Sequence, residues 1–213
     1  VVQQQRAQAT RERLIDGAAR AFYKLGYGIA TTADIVTESG TTRGALYFHF
    51  PSKEDLARAV IAKEHELAIT AGTRIMELRR PAFETMLLMC IDLAERLTTD
   101  PVVKAGIRLT TENTNFDPPL RAPYDDWLRA FADMAQLAIA EGDFRDDVDA
   151  EAFARFLIPS YTGIQLVSDL FTAREDLLPR IRDLWTFVMP AVIAPDRMPA
   201  SRELLDRLIP PAP

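Results

Sequence analysis

The chain of 213 residues holds one cysteine, Cys90, and two histidines, His49 and His65. A single thiol closes no internal disulfide, which excludes a disulfide-stapled scaffold and fits a reducing compartment. No apolar run approaches the roughly 18 residues that a membrane span needs, and no secretory pattern opens the chain. A cytoplasmic protein without membrane contact is therefore expected. Catalytic chemistry is equally short of material. No Ser/His/Asp set, metal-spaced cluster or glycine-rich phosphate loop is present. Glu64-His65-Glu66 does not converge on a metal, because successive helical residues diverge by about 100°. A solvated helix face explains it, and no enzyme, cofactor or metal is expected.

Acid outweighs base over the whole chain, with a net charge of −6. The distribution is uneven. Residues 1–53 carry seven Lys/Arg against four acids, and the remainder carries 18 against 27. A basic head on an acidic body can orient on a polyanion by its head.

The apolar pattern is helical almost throughout, with no convincing strand and no internal repeat. Leu14, Ala18 and Phe22, beside Ile15 and Ala19, predict an amphipathic first helix ending at Leu25-Gly26. Thr31 or Thr32 can cap a short helix carrying Ile35 and Val36, closed by Gly40. Thr41 or Thr42 can cap a third, very short one. Ser52 to Asp55 reads as a capping box for a long fourth helix reaching about residue 79. Pro81 and Pro101 start further helices. Residues 112–123 predict a loop, 124–141 a helix stopped by Gly142, and Asp149 the cap of a helix that Pro159 should kink. A last helix carries Leu184, Trp185, Val188 and Val192. The expected fold is all-α: a three-helix helix-turn-helix head (1–51), joined by a long helix to a ligand-binding and dimerisation body (52–198), with a C-terminal tail (199–213) whose final residues are disordered.

Two short helices across a glycine turn, after a longer one, form a helix-turn-helix, whose second helix enters the DNA major groove. Thr41, Thr42 and Arg43 would then sit where base edges are read. Arg43 can fork onto guanine O6 and N7. Gly44 lets backbone approach the groove. Tyr47 and His49 can donate to phosphates, while Leu46, Phe48 and Phe50 face inward. Lys53 opposes the macrodipole of the helix it opens, at roughly 0.3–1 kcal/mol, and a docked phosphate would reverse that sign.

The stretch TRERLIDGAARAFYKLGYGIATTADIVTESGTTRGALYFHFPSKEDL resembles, over its full length, the DNA-binding head of TetR-family repressors. The marks are a Thr-x-x-x-Leu start, Phe22, Thr31-Thr32, Ile35, Gly40, Gly44-x-x-Tyr47-x-His49-Phe50 and Lys53. The resemblance implies DNA contacts from Thr32, Thr42, Arg43, Tyr47, His49 and Lys53, with Arg43 where the family often has lysine. Together with Thr31, Thr41 and Gly44 these form the candidate DNA set. ALYFHFPSKEDLARAV, DPVVKAGIRLTTEN and PPLRAPYDDW further resemble the γ-butyrolactone receptor branch. Those proteins control antibiotic production in filamentous actinobacteria and release DNA when a small autoregulator lactone binds.

In that branch a tryptophan after the proline-rich loop lines the ligand pocket, and Trp127 matches it. On the residues alone, Trp127 is more readily a core anchor. Thr162, Gln165 and Ser168 recur at three-residue spacing on an apolar helix, which suits a core network or the directional contacts of a pocket. Met86, Met89 and Cys90 are soft enough for a pocket wall or ordinary core. The expected partners are double-stranded operator DNA, a lactone, butenolide or furan-type ligand, and a second copy, paired through helices near 150–170 and 178–194. A regulator of the same build that answers to an antibiotic or drug, and a helical small-molecule carrier, are the competing readings.

Overall fold

A computed structural model gives the fold and describes residues 2–112, 116 and 122–211. Ten helices follow one another among these residues: α1 (Val2–Ile29), α2 (Thr32–Ser39), α3 (Arg43–His49), α4 (Lys53–Glu77), α5 (Ala82–Thr99), α6 (Pro101–Thr111), α7 (Ala122–Ala140), α8 (Ala150–Thr172), α9 (Leu177–Val192) and α10 (Met198–Leu208). The only β feature among them is an isolated bridge between Phe144 and Ile193. The all-α expectation holds. No described helix is long and apolar enough to cross a membrane.

Capping chemistry explains the boundaries. The Asp100 carboxylate accepts the Val102 N–H at 2.7 Å, with Pro101 at the first helical position of α6. Asp149 does the same for Ala152 at 2.9 Å. The first helix breaks at Gly26 (φ 78°), as expected, but regains one turn to Ile29. α8 runs on through Pro159 without ending. Most of the expected 112–123 loop, residues 113–115 and 117–121, lies outside the described residues.

Two compact units divide the chain. The first comprises residues 1–70 and 99–120. Leu14, Ala18 and Phe22 of α1 are fully buried, and around them close Ile35 of α2, Leu46 of α3, Leu56 and Val60 of α4, and Leu109 of α6. Each such large side chain contributes about 1.5–3 kcal/mol of burial. α6 is fastened to the end of α1. The Arg108 guanidinium donates to the Tyr23 carbonyl, and the Glu112 carboxylate accepts the Tyr27 N–H at 3.0 Å. Phe116 packs edge-on against Tyr27 at 5.3 Å. The unit holding the helix-turn-helix is therefore larger than residues 1–51. Its core needs α6, whose contribution no local pattern announces.

The second unit comprises residues 71–98 and 121–213. Its centre is aromatic: Phe83 and Phe153 meet Trp185 at 5.6 and 6.3 Å, and Phe144 meets Phe83 and Phe153 at 6.1 and 5.3 Å. α7 packs along α8, and α8 along α9. The expected tail from residue 199 is corrected, because α10 occupies Met198–Leu208. Ser201, Leu205 and Ile209 recur every four residues and are buried, and Arg182 donates to the Ile209 carbonyl. Ile209 is thus packed rather than disordered, and the proline at the helix start is tolerated because its missing N–H is unpaired there anyway.

Candidate functional site

In the first unit, α2 and α3 meet across a turn made by Gly40, whose φ of 59° is left-handed and strains any other residue. The Gly40 N–H reaches the Thr37 carbonyl and the Thr41 N–H the Val36 carbonyl, each at 3.3 Å. The Thr31 hydroxyl accepts from the Asp34 N–H and donates to its carboxylate, while that carboxylate accepts the Thr31 N–H. These side-chain and backbone bonds hold the Asp34 carboxyl below its ordinary range. Thr42 caps α3 by accepting the Ala45 N–H at 3.1 Å. The Thr41 hydroxyl lies 2.7 Å from that of Ser39. Three of the candidate threonines are thus occupied in building the motif.

α3 buries Leu46 and exposes Arg43, Gly44, Tyr47 and Phe48. The Arg43 guanidinium lies over the Tyr47 ring, 5.6 Å from its centre. Hydrogen bonds from Thr32 and then Arg43 lower the Tyr47 phenol from its ordinary value. Arg43 and Tyr47 therefore form one stacked pair on the outer surface. A Cβ built on Gly44 would meet only the Thr42 hydroxyl, at 3.9 Å. The head's own packing does not require glycine there.

One expectation about this surface is corrected, and Lys53 gains partners within the head. Phe48 does not face inward; it is 79% exposed. It lies two residues beyond buried Leu46, about 200° round the helix, so the two cannot share a face. Lys53 also has a place in the head's own structure. Its ammonium donates to the carbonyls of Tyr27 (2.8 Å) and Ala30 (3.2 Å) and sits 4.5 Å from the Tyr27 ring centre. A cation serving the carbonyl end of α1 offsets its unfavourable place at the start of α4. Lys53→Ala is expected to lower stability by about 1–3 kcal/mol by removing charge-assisted bonds, read by urea unfolding. Unchanged unfolding, together with a salt dependence of DNA binding reduced by about one unit of slope, would instead mark a pure phosphate contact.

In the second unit the candidate ligand residues separate by role. Met86, Met89 and Cys90 are buried on α5. Burial pushes the Cys90 thiol up to about 12. It is an inert packing group. The Tyr161 hydroxyl donates to the Cys90 carbonyl at 2.8 Å. The Thr162, Gln165 and Ser168 row does not act as one wall. Thr162 donates back to the Ile158 carbonyl of its own helix. Ser168 donates to Asp176 at 2.6 Å and so builds the turn into α9. Gln165 is buried, its side-chain oxygen accepts from Arg174 at 3.1 Å, and its amide nitrogen has no partner among the described residues. Trp127 is half-buried on α7, with its ring centre 5.9 Å from that of Phe131.

Arg174 was not foreseeable. It follows α8 with φ 70°, is 2% exposed, donates to Gln165 and the Leu97 carbonyl, and pairs with Asp169 at 3.4 Å. In sequence it stands beside Glu175 and Asp176, and nothing local marks it for burial. No group of three metal-ligating side chains occurs among the described residues.

Residues 14–60 match the family model of bacterial regulatory proteins of the tetR family, and residues 80–194 match the tetracyclin repressor-like C-terminal domain. The chain belongs to the TetR family. It is a transcriptional regulator and not an enzyme. It is 30% identical over 195 residues to the A-factor receptor protein of Streptomyces griseus, covering 92% of this chain and 68% of that one. A solved gamma-butyrolactone receptor (ArpA-like protein) superposes with a TM-score of 0.79 at 28% identity, over 95% of this chain and 97% of that chain. CprB from Streptomyces coelicolor, in complex with its biological operator sequence, superposes at 0.81 with 29% identity, over 96% and 98%.

Proposed function

We propose that this regulator represses transcription by gripping a two-fold operator as a homodimer, with α3 of each head in a major groove. A small acceptor-bearing ligand of lactone, butenolide or furan type releases it. The observation that carries the DNA assignment is the outward face of α3. The Arg43 guanidinium lies over Tyr47, beside a Gly44 that the head's own packing does not need. A cation with a fork of donors, set beside a gap in the side-chain layer, suits close approach to base edges. Thr42, His49 and Lys53 border that face, and Lys53 keeps one ammonium donor beyond its two carbonyl bonds. The operator complex of CprB and the match of residues 14–60 to the tetR-family model support the same assignment.

For the ligand, the supporting feature is the buried Gln165 amide nitrogen, which has two donors and no partner among the described residues. An unmet buried donor costs about 1–3 kcal/mol, and a ligand carbonyl or carboxylate would remove that cost. Lactones, butenolides and furan acids all carry one. Met86, Met89 and Trp127 would supply apolar contact. A hundredfold loss of DNA affinity on ligand binding requires about 2.7 kcal/mol of differential binding, within the usual coupling range.

Trp127→Ala is expected to leave operator binding intact and make the complex resistant to ligand. The test combines thermal unfolding with a shift assay under a panel of the three ligand types. If Trp127 is only a core anchor, the mutant loses up to about 3–5 kcal/mol of stability yet releases DNA at the normal ligand concentration. That result would remove Trp127 from the pocket.

A further inference from the structure

We propose that Phe48 reads a thymine methyl group on the floor of the operator's major groove, and so sets base preference at one position of each half-site. The inference rests on the assignment of α3 to the major groove.

On a helix of 3.6 residues per turn, Gly44 and Phe48 each lie about 200° from Leu46, one to either side of the outward midline. Arg43 and Tyr47 flank one edge of that midline, and Ala45 and His49 the other. Burial agrees: Leu46 is fully buried, Ala45 and His49 are intermediate, and Phe48 is 79% exposed. Its one close ring contact is edge-on to His49, with centroids 5.0 Å apart. That contact steadies the ring without covering its outer face.

A lone exposed phenylalanine is ordinary on a protein surface. This one stands at the centre of the face presented to DNA, one turn beyond a residue with no side chain. Gly44 lets the helix axis come close, so the ring one turn on reaches the groove floor. The ring has no donor or acceptor and makes no hydrogen bond to phosphate or to a polar base edge. The apolar feature of the major groove is the C5 methyl of thymine, which packs against apolar side chains. Arg43 can bond a neighbouring base, so the two residues would read successive positions by different chemistry.

The experiment uses the full chain. Operators are first selected from random-sequence duplexes. Each thymine of the selected site is then replaced in turn by deoxyuridine, which removes one methyl and preserves base pairing. The unmodified chain is expected to lose about fourfold in affinity per half-site at one position, the value of one methyl-sized apolar contact. Phe48→Ala should bind thymine and deoxyuridine equally at that position, and Phe48→Leu should keep part of the difference. Unchanged thermal unfolding of both variants, expected for so exposed a residue, separates contact from folding. Three outcomes overturn the proposal: no position sensitive to deoxyuridine, a sensitivity that survives in Phe48→Ala, or a uniform weakening on all sequences. Failure to select any duplex at all would overturn the DNA-binding assignment itself, and is distinguishable from these.

Discussion

Leu170→Asp combined with Phe187→Asp is expected to convert the protein to monomers and to cost it about 10²–10⁴-fold in operator affinity. Both residues are apolar and open to solvent in the single chain, Leu170 at 79% and Phe187 at 83%. Phe156 and Phe171 of α8 are open as well, 56% and 73% exposed. A hollow of about 680 Å³ lined by Phe153, Phe156, Ile164, Leu184 and Phe187 lies on α8 and α9. Exposed apolar side chains of this kind suit the self-association surface of the proposed homodimer. Self-association through it is isologous, so each substitution enters the interface twice. Four carboxylates in an apolar interface, at several kcal/mol each, exceed what a dimer of ordinary affinity can absorb. A monomer retains one recognition helix and loses the second head's effective concentration. Sedimentation, circular dichroism and a shift assay give the readout. A double mutant that still sediments as a dimer and binds operator normally would remove α8 and α9 from the interface.

The helix-turn-helix was legible in sequence because its determinants are local. Thr31, Gly40 and Thr42 act within four residues of their own positions, and capping and turn chemistry need nothing more. Helical spacing likewise placed Leu14, Phe22 and Ile35 in the core. What escaped depends on partners far along the chain. The structural role of Lys53 rests on Tyr27 and Ala30, which accept from it more than twenty residues away. The place of α6 in the first unit rests on Arg108 meeting Tyr23 across 85 residues. Arg174 is buried by Gln165 and Leu97, which no window around it contains. Phe48 is a different kind of miss. Its exposure follows from helical arithmetic against Leu46, but the expectation that large aromatics are buried overrode it. Hydrophobicity gives the odds of burial over a whole protein, and at a binding surface those odds do not apply.

Gly44→Ala should separate folding from function more sharply than any other single change in the head. An alanine is worth up to about 1 kcal/mol more than glycine inside a helix, because the unfolded chain loses less freedom. Nothing among the described residues opposes it. The new methyl would meet only the Thr42 hydroxyl, at an ordinary contact distance of 3.9 Å. Thermal unfolding of the mutant is therefore expected to shift upward. Operator binding should move the other way. The methyl stands on the outward midline of α3, between the helix and whatever it docks against. Overfilling a close-packed contact costs about 1–3 kcal/mol. A dimer with two heads engaged pays this twice, so the loss in operator affinity would reach about 30-fold or more. Nonspecific binding to duplex DNA, carried by looser phosphate contacts, should change much less. The shift assay is run on specific and scrambled duplexes beside the melting curve. A Gly44→Ala protein that melts higher and grips its operator as tightly as before would mean that α3 does not approach DNA by this face.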